Sequence, residues 1–460
     1  MSDYLDRVLL SLRPAFSRSA AFAWFILVLG GIWARNDTYG LSSLVRALNL
    51  NPAAYLGLIH FFHSGAWQAK TLLFYWQSWV FKTELAYRVK DRIVLIGDHT
   101  NAPKDGRRIP GVTTIHQNSE TASKPSYFRG HQWGCIGILA GMADNLFALP
   151  LWAEIHRDNL AERRTTAIIK TACLIAQNAK QAAYLVLDAY FSVGPVFKCI
   201  VPFKDLVHVL TRAKKNIVAF MPQATSDKPG RGRPRIYGKK LRLMYLFEER
   251  KQEFLIGQAV CYRKIETVRY LTLDLFWKPV GKILRFFLVE TSRGQIVLIS
   301  SDLTLDAITA ISLYSRRITI ETLFDMLKNI LGGMTYHFWS KYLAQTSRRP
   351  IKNALVPDSA NPDKTENTLA AIEKFLSVNL IALGLLQILP LFYSEQIYAS
   401  AMCWLRRPCG RFASVFVTRW TLGLLIRSNF VNIKLELISR YIRAKQLNPD
   451  DIASPNFEGG

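Results

Sequence analysis

The chain has 460 residues, enough for two to four domains at roughly 100–200 residues each, and half of them are apolar, which excludes a disordered polymer. Its 59 Lys and Arg outnumber 34 Asp and Glu, a formal charge of +25; this points to a polyanionic partner (nucleic acid or an anionic membrane surface) and away from a soluble enzyme of small metabolites. Six cysteines stand singly with no CxxC pair, which excludes a zinc ribbon, a redox dithiol and, at this size, a disulfide scaffold, so a reducing cytosolic compartment is expected.

Residues 1–85 read as helical. Ala21–Trp33 is too short to cross a bilayer and no small-residue cleavage site follows it, so no secretory signal is expected. Leu41–Leu48 forms one short helix. Asn51 is a good N-cap and Pro52 suits a first helical position, which predicts a second helix over Pro52–His63. Two such helices across a tight turn resemble a helix-turn-helix; an apolar second helix without arginine suits an ordinary hairpin as well. Arg92–Gly97 is a buried strand, and Trp133–Ala140, Leu146–Ile155 and Tyr184–Leu187 are further strands, with a helix over Ala161–Lys180.

Val207–Leu241 is strongly basic, and from Leu241 to Ser301 the pattern is β: LRLMYLF, FLIGQAVCY, TVRYLTLDLFW, LRFFLVE and QIVLIS. Within the basic stretch, KPGRGRPR over Lys228–Arg235 places Arg231, Arg233 and Arg235 in an extended segment. It resembles an AT-hook laid in a minor groove, or serves as a basic linker that touches phosphates only. Thr304 is expected to cap a helix with Asp306 in its first turn. Arg348–Thr368 reads as a linker, helices continue to about Lys445, and the last fifteen residues read as loose. Phe375–Tyr393 has about the spanning length, yet it holds Asn379, Gln387 and Pro390 and suits a buried core helix equally. Positive charge spread along the whole chain is not a juxtamembrane cluster, so no stable membrane association is expected. There is no internal repeat and no phosphate-binding nucleotide loop.

Three acids stand out by position. Asp98 and Asp188 are each expected at the C-terminal end of a buried strand, where side chains leave a sheet and converge, although an acid there is often only a loop cap. Glu321 lies in YSRRITIETLFDMLK. On one continuous helix Tyr314, Arg317, Glu321 and Lys328 fall within about 60° of arc, which gives one face a phenol, a guanidinium, a carboxylate and an ammonium. A surface face of ion pairs is the plain alternative; Ile320, Leu323, Phe324 and Leu327 around Glu321 argue for packing on a sheet.

That spacing (Tyr, two residues, Arg, three, Glu, six, Lys) resembles the signature of bacterial insertion-sequence DDE transposases of the Tyr-Arg-Glu-Lys group, and Tyr314, Arg317, Glu321 and Lys328 match it without a gap. Asp98-His99-Thr100 is similar to the group's first acid motif, and Asp188-Ala189-Tyr190-Phe191 to its second. SDLTLDA before the signature and the GG…HFWSK segment after it also resemble the group; the resemblance covers about 90–345.

The resemblance implies an α/β fold: a ribonuclease H-like catalytic core interrupted by a β-rich insertion domain, with helical N-terminal and C-terminal regions. The expected division is 1–85 helical and DNA-binding, 86–204 core, 205–303 insertion, 304–347 core, 348–368 linker and 369–460 helical. It implies a cut-and-paste DNA transposase in which Asp98, Asp188 and Glu321 hold two Mg2+ ions (Mn2+ as substitute) and Tyr314, Arg317 and Lys328 bind DNA. The partners implied are double-stranded DNA and a second copy of the chain, in the bacterial cytoplasm. In hairpin-forming relatives the insertion carries an aromatic that stacks on a flipped base; Trp277 is the candidate, and a core tryptophan of a sheet is the alternative. An inactive DNA-binding relative would carry the same residues.

Overall fold

The structure, a computed structural model, describes residues 1–116, 127–142, 145–157, 161–223, 236–262, 264–346, 359–401, 411–428 and 436–447. It is a mixed α/β fold around one large mixed sheet. The chain opens with helices α1 (Ser2–Ser11), α2 (Ser19–Ala34), α3 (Leu41–Ala47), α4 (Ala54–His63) and α5 (Ala69–Lys82). Strands β1 (Arg88–Val89), β2 (Arg92–Pro103), β3 (Thr113–His116), β4 (Tyr127–Met142) and β5 (Asn145–Ile155) follow, then α6 (Ala161–Ala179), β6 (Ala183–Leu187), α7 (Gly194–Cys199) and β7 (Val207–Arg212). Next come β8 (Val218–Pro222), β9 (Tyr237–Arg242), α8 (Leu246–Glu249), β10 (Leu255–Cys261), β11 (Lys264–Trp277), β12 (Lys282–Thr291) and β13 (Gly294–Ser300). The described chain ends with α9 (Ala307–Ser315), α10 (Ile318–Asp325), α11 (Pro362–Ser400), α12 (Val415–Ser428) and α13 (Glu436–Arg443).

The part of the sheet that matters for function is β5-β4-β2-β6-β7. β5, β4 and β2 are antiparallel, while β2, β6 and β7 are parallel. Strand β6 (AYLVL) is buried at every position, as a parallel strand covered on both faces must be. The sheet runs unbroken across position 205: β7 pairs with β6 on one edge and with β13 on the other, and β12, β11, β8 and β9 continue it. α6 covers one face of β2 and β4. Gly97 makes this possible, since a Cβ there would lie 2.9 Å from both Ile168 of α6 and Leu187 of β6. α10 covers the other face, with Leu323 over Gly137.

α11 is the central helix of the core. It holds the Phe375–Tyr393 segment, and its most apolar stretch is 94% buried inside the protein. Polar groups tie it in place: Gln387 donates to the Ala148 carbonyl of β5 (3.1 Å), Trp33 of α2 donates to the Ala382 carbonyl (3.3 Å) and Lys374 to the Ser64 carbonyl (2.7 Å). The Asn379 amide nitrogen bonds back to the Phe375 carbonyl, while the amide oxygens of Asn379 and Gln387 meet no partner among the described residues. Pro390 removes one intrahelical bond, and the helix kinks at Tyr393 three residues on.

Several expectations are corrected. Asp98 is inside β2, not at its end, because β4 goes on pairing as far as Pro103 after β6 stops at Ile96. Of LRLMYLF only the first two residues are strand; short helical turns take over from Leu243, burying Leu243, Leu246 and Phe247. The cap after β13 is Asp306, which accepts from the Thr309 N–H at 2.8 Å, whereas Thr304 is spent on Asp302. Residues 362–368, read as linker, are the first turns of α11, with Asn361 capping and Pro362 at the first position. α4 begins at Ala54, two residues later than expected, with Ala53 and not Asn51 in the cap position; the Asn51 side chain accepts from the Ala53 N–H in the turn before it, and α4 packs Leu58, Phe61 and Phe62 inward. Of the last fifteen residues, expected to be loose, 448–460 lie outside the described residues.

Candidate active site

Pairing of β2 with β6 is in register at an offset of 90: Ile93 faces Ala183 and Ile96 faces Val186. Asp98 and Asp188 have that same offset. They therefore sit side by side at the mouth of two parallel strands, two residues beyond the last paired position, Ile96 and Val186. Asp188 accepts from the Tyr190 N–H at 3.0 Å and caps the short turn Ala189–Phe191, while its carbonyl takes the Thr211 hydroxyl at 2.5 Å. Asp98 accepts from the His99 N–H at 2.7 Å. His99 lies flat on Phe191, ring centroids 5.0 Å apart, so each acid's following residues lock onto the other's.

Glu321 arrives from α10, which packs on β2 and β5. The helix is not continuous. α9 stops at Ser315, Arg316 and Arg317 make tight i→i−3 bonds, α10 runs to Asp325, and the turn Met326–Ile330 is widened to a π-helical one. The expected single face is thus corrected, yet its residues still reach the acids. Arg317 stands between them, 3.3 Å from Asp98 and paired with Glu321. Tyr314 is half-buried, near enough to Asp188, Arg317 and Arg212 to feel all three. Lys328 lies toward Cys135, the residue paired with Asp98 across β2 and β4.

Electrostatics follow from this crowding. Burial, and then the Asp188 charge beside it, push the Asp98 carboxyl up to about 7, although Arg317 opposes the shift. Burial also raises Asp188. Two neighbouring carboxylates that resist ionising together are short of positive charge. Their all-oxygen donors suit a hard divalent cation, which restores both to the ionised form. The pair thus fits a metal. Among the described residues no three His, Cys, Asp or Glu stand close enough to hold one ion, because Glu321 is turned to Arg317.

Other expected site residues fall elsewhere. Trp277 is 6% exposed, set edge-on to Phe197 with centroids 5.4 Å apart. A base cannot stack on a ring whose faces are in the core, so the stacking expectation is corrected to a packing one. Arg231, Arg233 and Arg235 lie outside the described residues. Residues that sequence reading passed over are Asn101, Gln132 and Arg164, which line a cleft of about 520 Å³ with Asp98, Asp188 and His99. Arg35 and Arg419 were missed as well. They donate to the Leu331 and Ile330 carbonyls and so tie down the end of the helical segment that bears Glu321 and Lys328. No local motif marks them; only the fold brings them to that end.

No protein-family model matches the chain, and no curated protein sequence matches it. Among solved structures, the chain is similar to a piggyBac transposase in a synaptic complex with hairpin DNA. The two are 11% identical with a TM-score of 0.39, over 96% of this chain and 78% of that one.

Proposed function

We propose that the protein is a metal-dependent DNA transposase that nicks element ends and joins their 3′-hydroxyls to target DNA. One observation carries the reading. Two acids 90 positions apart are brought side by side on adjacent parallel strands, and a helix from far along the chain sets Glu321 and Arg317 over them. The antiparallel triplet followed by parallel strands, β5-β4-β2-β6-β7, supports the ribonuclease H-like core; an insertion would then begin only after β7, at about residue 213, with its strands prolonging the core's sheet. The excess of positive charge supports a DNA partner.

Asp98, Asp188 and Glu321 would hold Mg2+. Bound there, the metal supplies the charge that activates a hydroxyl and stabilises the leaving oxygen. The chain's own groups do the rest. Arg317 keeps the carboxylates apart until DNA arrives; a scissile phosphate then competes for its guanidinium and frees Glu321 to turn inward. Lys328 and Tyr314 flank the acids and steady the phosphate on either side. A rival reading, an inactive DNA-binding relative, draws on Glu321 being engaged with Arg317. The two are separated by incubating the full chain with duplex from its own gene's flanks and Mg2+. Nicks ending in 3′-hydroxyl, absent with Asp188→Asn, support the transposase; binding without nicking under all divalent metals supports the rival.

A further inference from the structure

The cleft beside the acids has a second wall. Side chains alternate along a strand, so Asp98 and Thr100 leave one face of β2 while His99 and Asn101 leave the other. Strand β4 sets Gln132 opposite Asn101 and Gly134 opposite His99. Cross-strand partners share a face, so His99, Asn101 and Gln132 all stand on the α6 side, where α6 adds Arg164. The volume of about 520 Å³ lies within the roughly 300–1,000 Å³ range of small-ligand sites.

Four buried polar atoms on this wall have no hydrogen-bond partner among the described residues: His99 Nε2, Asn101 Oδ1, Gln132 Oε1 and Arg164 Nε. Buried polar atoms are nearly always bonded, so four unmet ones around a single cleft mark a place where a polar ligand completes them. The cation chemistry of the acids on the other face uses none of them. Two amides held opposite each other on neighbouring strands present paired donors and acceptors, the pattern that reads a base edge and fits adenine best. A guanidinium beside them suits a phosphate.

We propose that this wall binds the nucleotide adjoining the bond cut at the acids, with Asn101 and Gln132 on the base edge and Arg164 on its phosphate. The inference rests on the DNA-cleaving reading above. It makes these amides determinants of sequence preference at one position, and Arg164 a general contributor to affinity.

The test uses the full-length protein and a duplex from the flanks of its own gene, with three positions on either side of the cut randomised. Cut and uncut strands are sequenced after exposure to Mg2+, and binding is measured in parallel without metal. Wild type should favour adenine at one position. Asn101→Leu and Gln132→Leu should each reduce that preference roughly tenfold. Arg164→Gln should weaken binding to every sequence and lower the salt slope by about one. Should Asn101→Leu melt early, Gln132→Asn, which withdraws the amide by one methylene, carries the same comparison. Unchanged preference in the amide variants, or equal loss at every base, overturns the proposal while wild-type cleavage stands. A wild type that cuts nothing in the pool removes the DNA-cleaving reading, and the subsite with it.

Discussion

Replacing Asp98 by Asn should stabilise the metal-free protein, and more so as the pH rises. The Asp98 carboxyl goes from an ordinary 3.8 in the unfolded chain to about 7 in the fold. A raised native value means that the acid favours folding when protonated and that this advantage is lost as pH rises from 3.8 through 7. At about 1.36 kcal/mol per pH unit, the raised value costs the fold about 2 kcal/mol at pH 5, where the carboxyl must take up a proton, and about 4 kcal/mol at pH 8, where it must stay ionised. The side chain is 16% exposed, so solvent screening removes little of this. Asn has no such cost, and the variant should gain about 2–3 kcal/mol on wild type between pH 5 and pH 8. At about 2.1 cal/mol/K per residue, a chain of this length has an unfolding entropy near 1 kcal/mol/K, so the gain reads as about 2–3 °C in Tm. The assay is a pair of melts at the two pH values, repeated with Mg2+ at pH 8. Mg2+ should raise the Tm of wild type and leave Asp98→Asn nearly still. An equal gap between the proteins at both pH values, or an equal Mg2+ shift, would refute the reasoning.

Arg317→Ala should remove the cation between the acids, so Asp98 and Asp188 titrate still higher and metal-free melts fall off more steeply above pH 7; NMR titration of the two carboxyls reads this directly. Trp277→Ala should cost about 3–5 kcal/mol of stability in denaturant titration, as loss of a buried ring does. Its nicking and hairpin products should fall together, in contrast to an exposed stacking residue. Changing Arg231, Arg233 and Arg235 together to Ala should flatten the log–log salt dependence of DNA affinity by about three units if each meets a phosphate.

Much of this architecture is legible in local pattern. β6 announces itself by an unbroken apolar run, α4 by its apolar face though not by its first residue, and the acids by their place after β-branched stretches. What cannot be read locally is pairing. Nothing near Asp98 reveals that β4 extends its strand to Pro103, or that β7 and β13 carry the sheet across position 205. The break at Arg316–Arg317 is hidden too: helical periodicity runs through YSRRITIE, while the packing of Leu323 over Gly137 and of Ser315 against the Val260 carbonyl sets two helix axes. Trp277 misleads for a related reason. A tryptophan ending a strand reads alike whether it meets solvent or, as here, Phe197 of α7. The wall of Asn101 and Gln132 depends on a register between two strands thirty residues apart, which no motif encodes.

The most direct measurement is a gel shift on an element end run beside a magnesium-dependent cleavage assay, for wild type and Glu321→Ala. Glu321 is half exposed and bonded only to Arg317 among the acids' neighbours, so its loss leaves the fold intact. Cleavage should drop by at least about a hundredfold, the scale on which catalytic groups act, while end binding holds or improves because a negative charge near phosphate is gone. Near wild-type cleavage by Glu321→Ala, or a loss of binding that parallels Lys328→Ala, would contradict a metal-holding triad and leave that helix as a merely structural element.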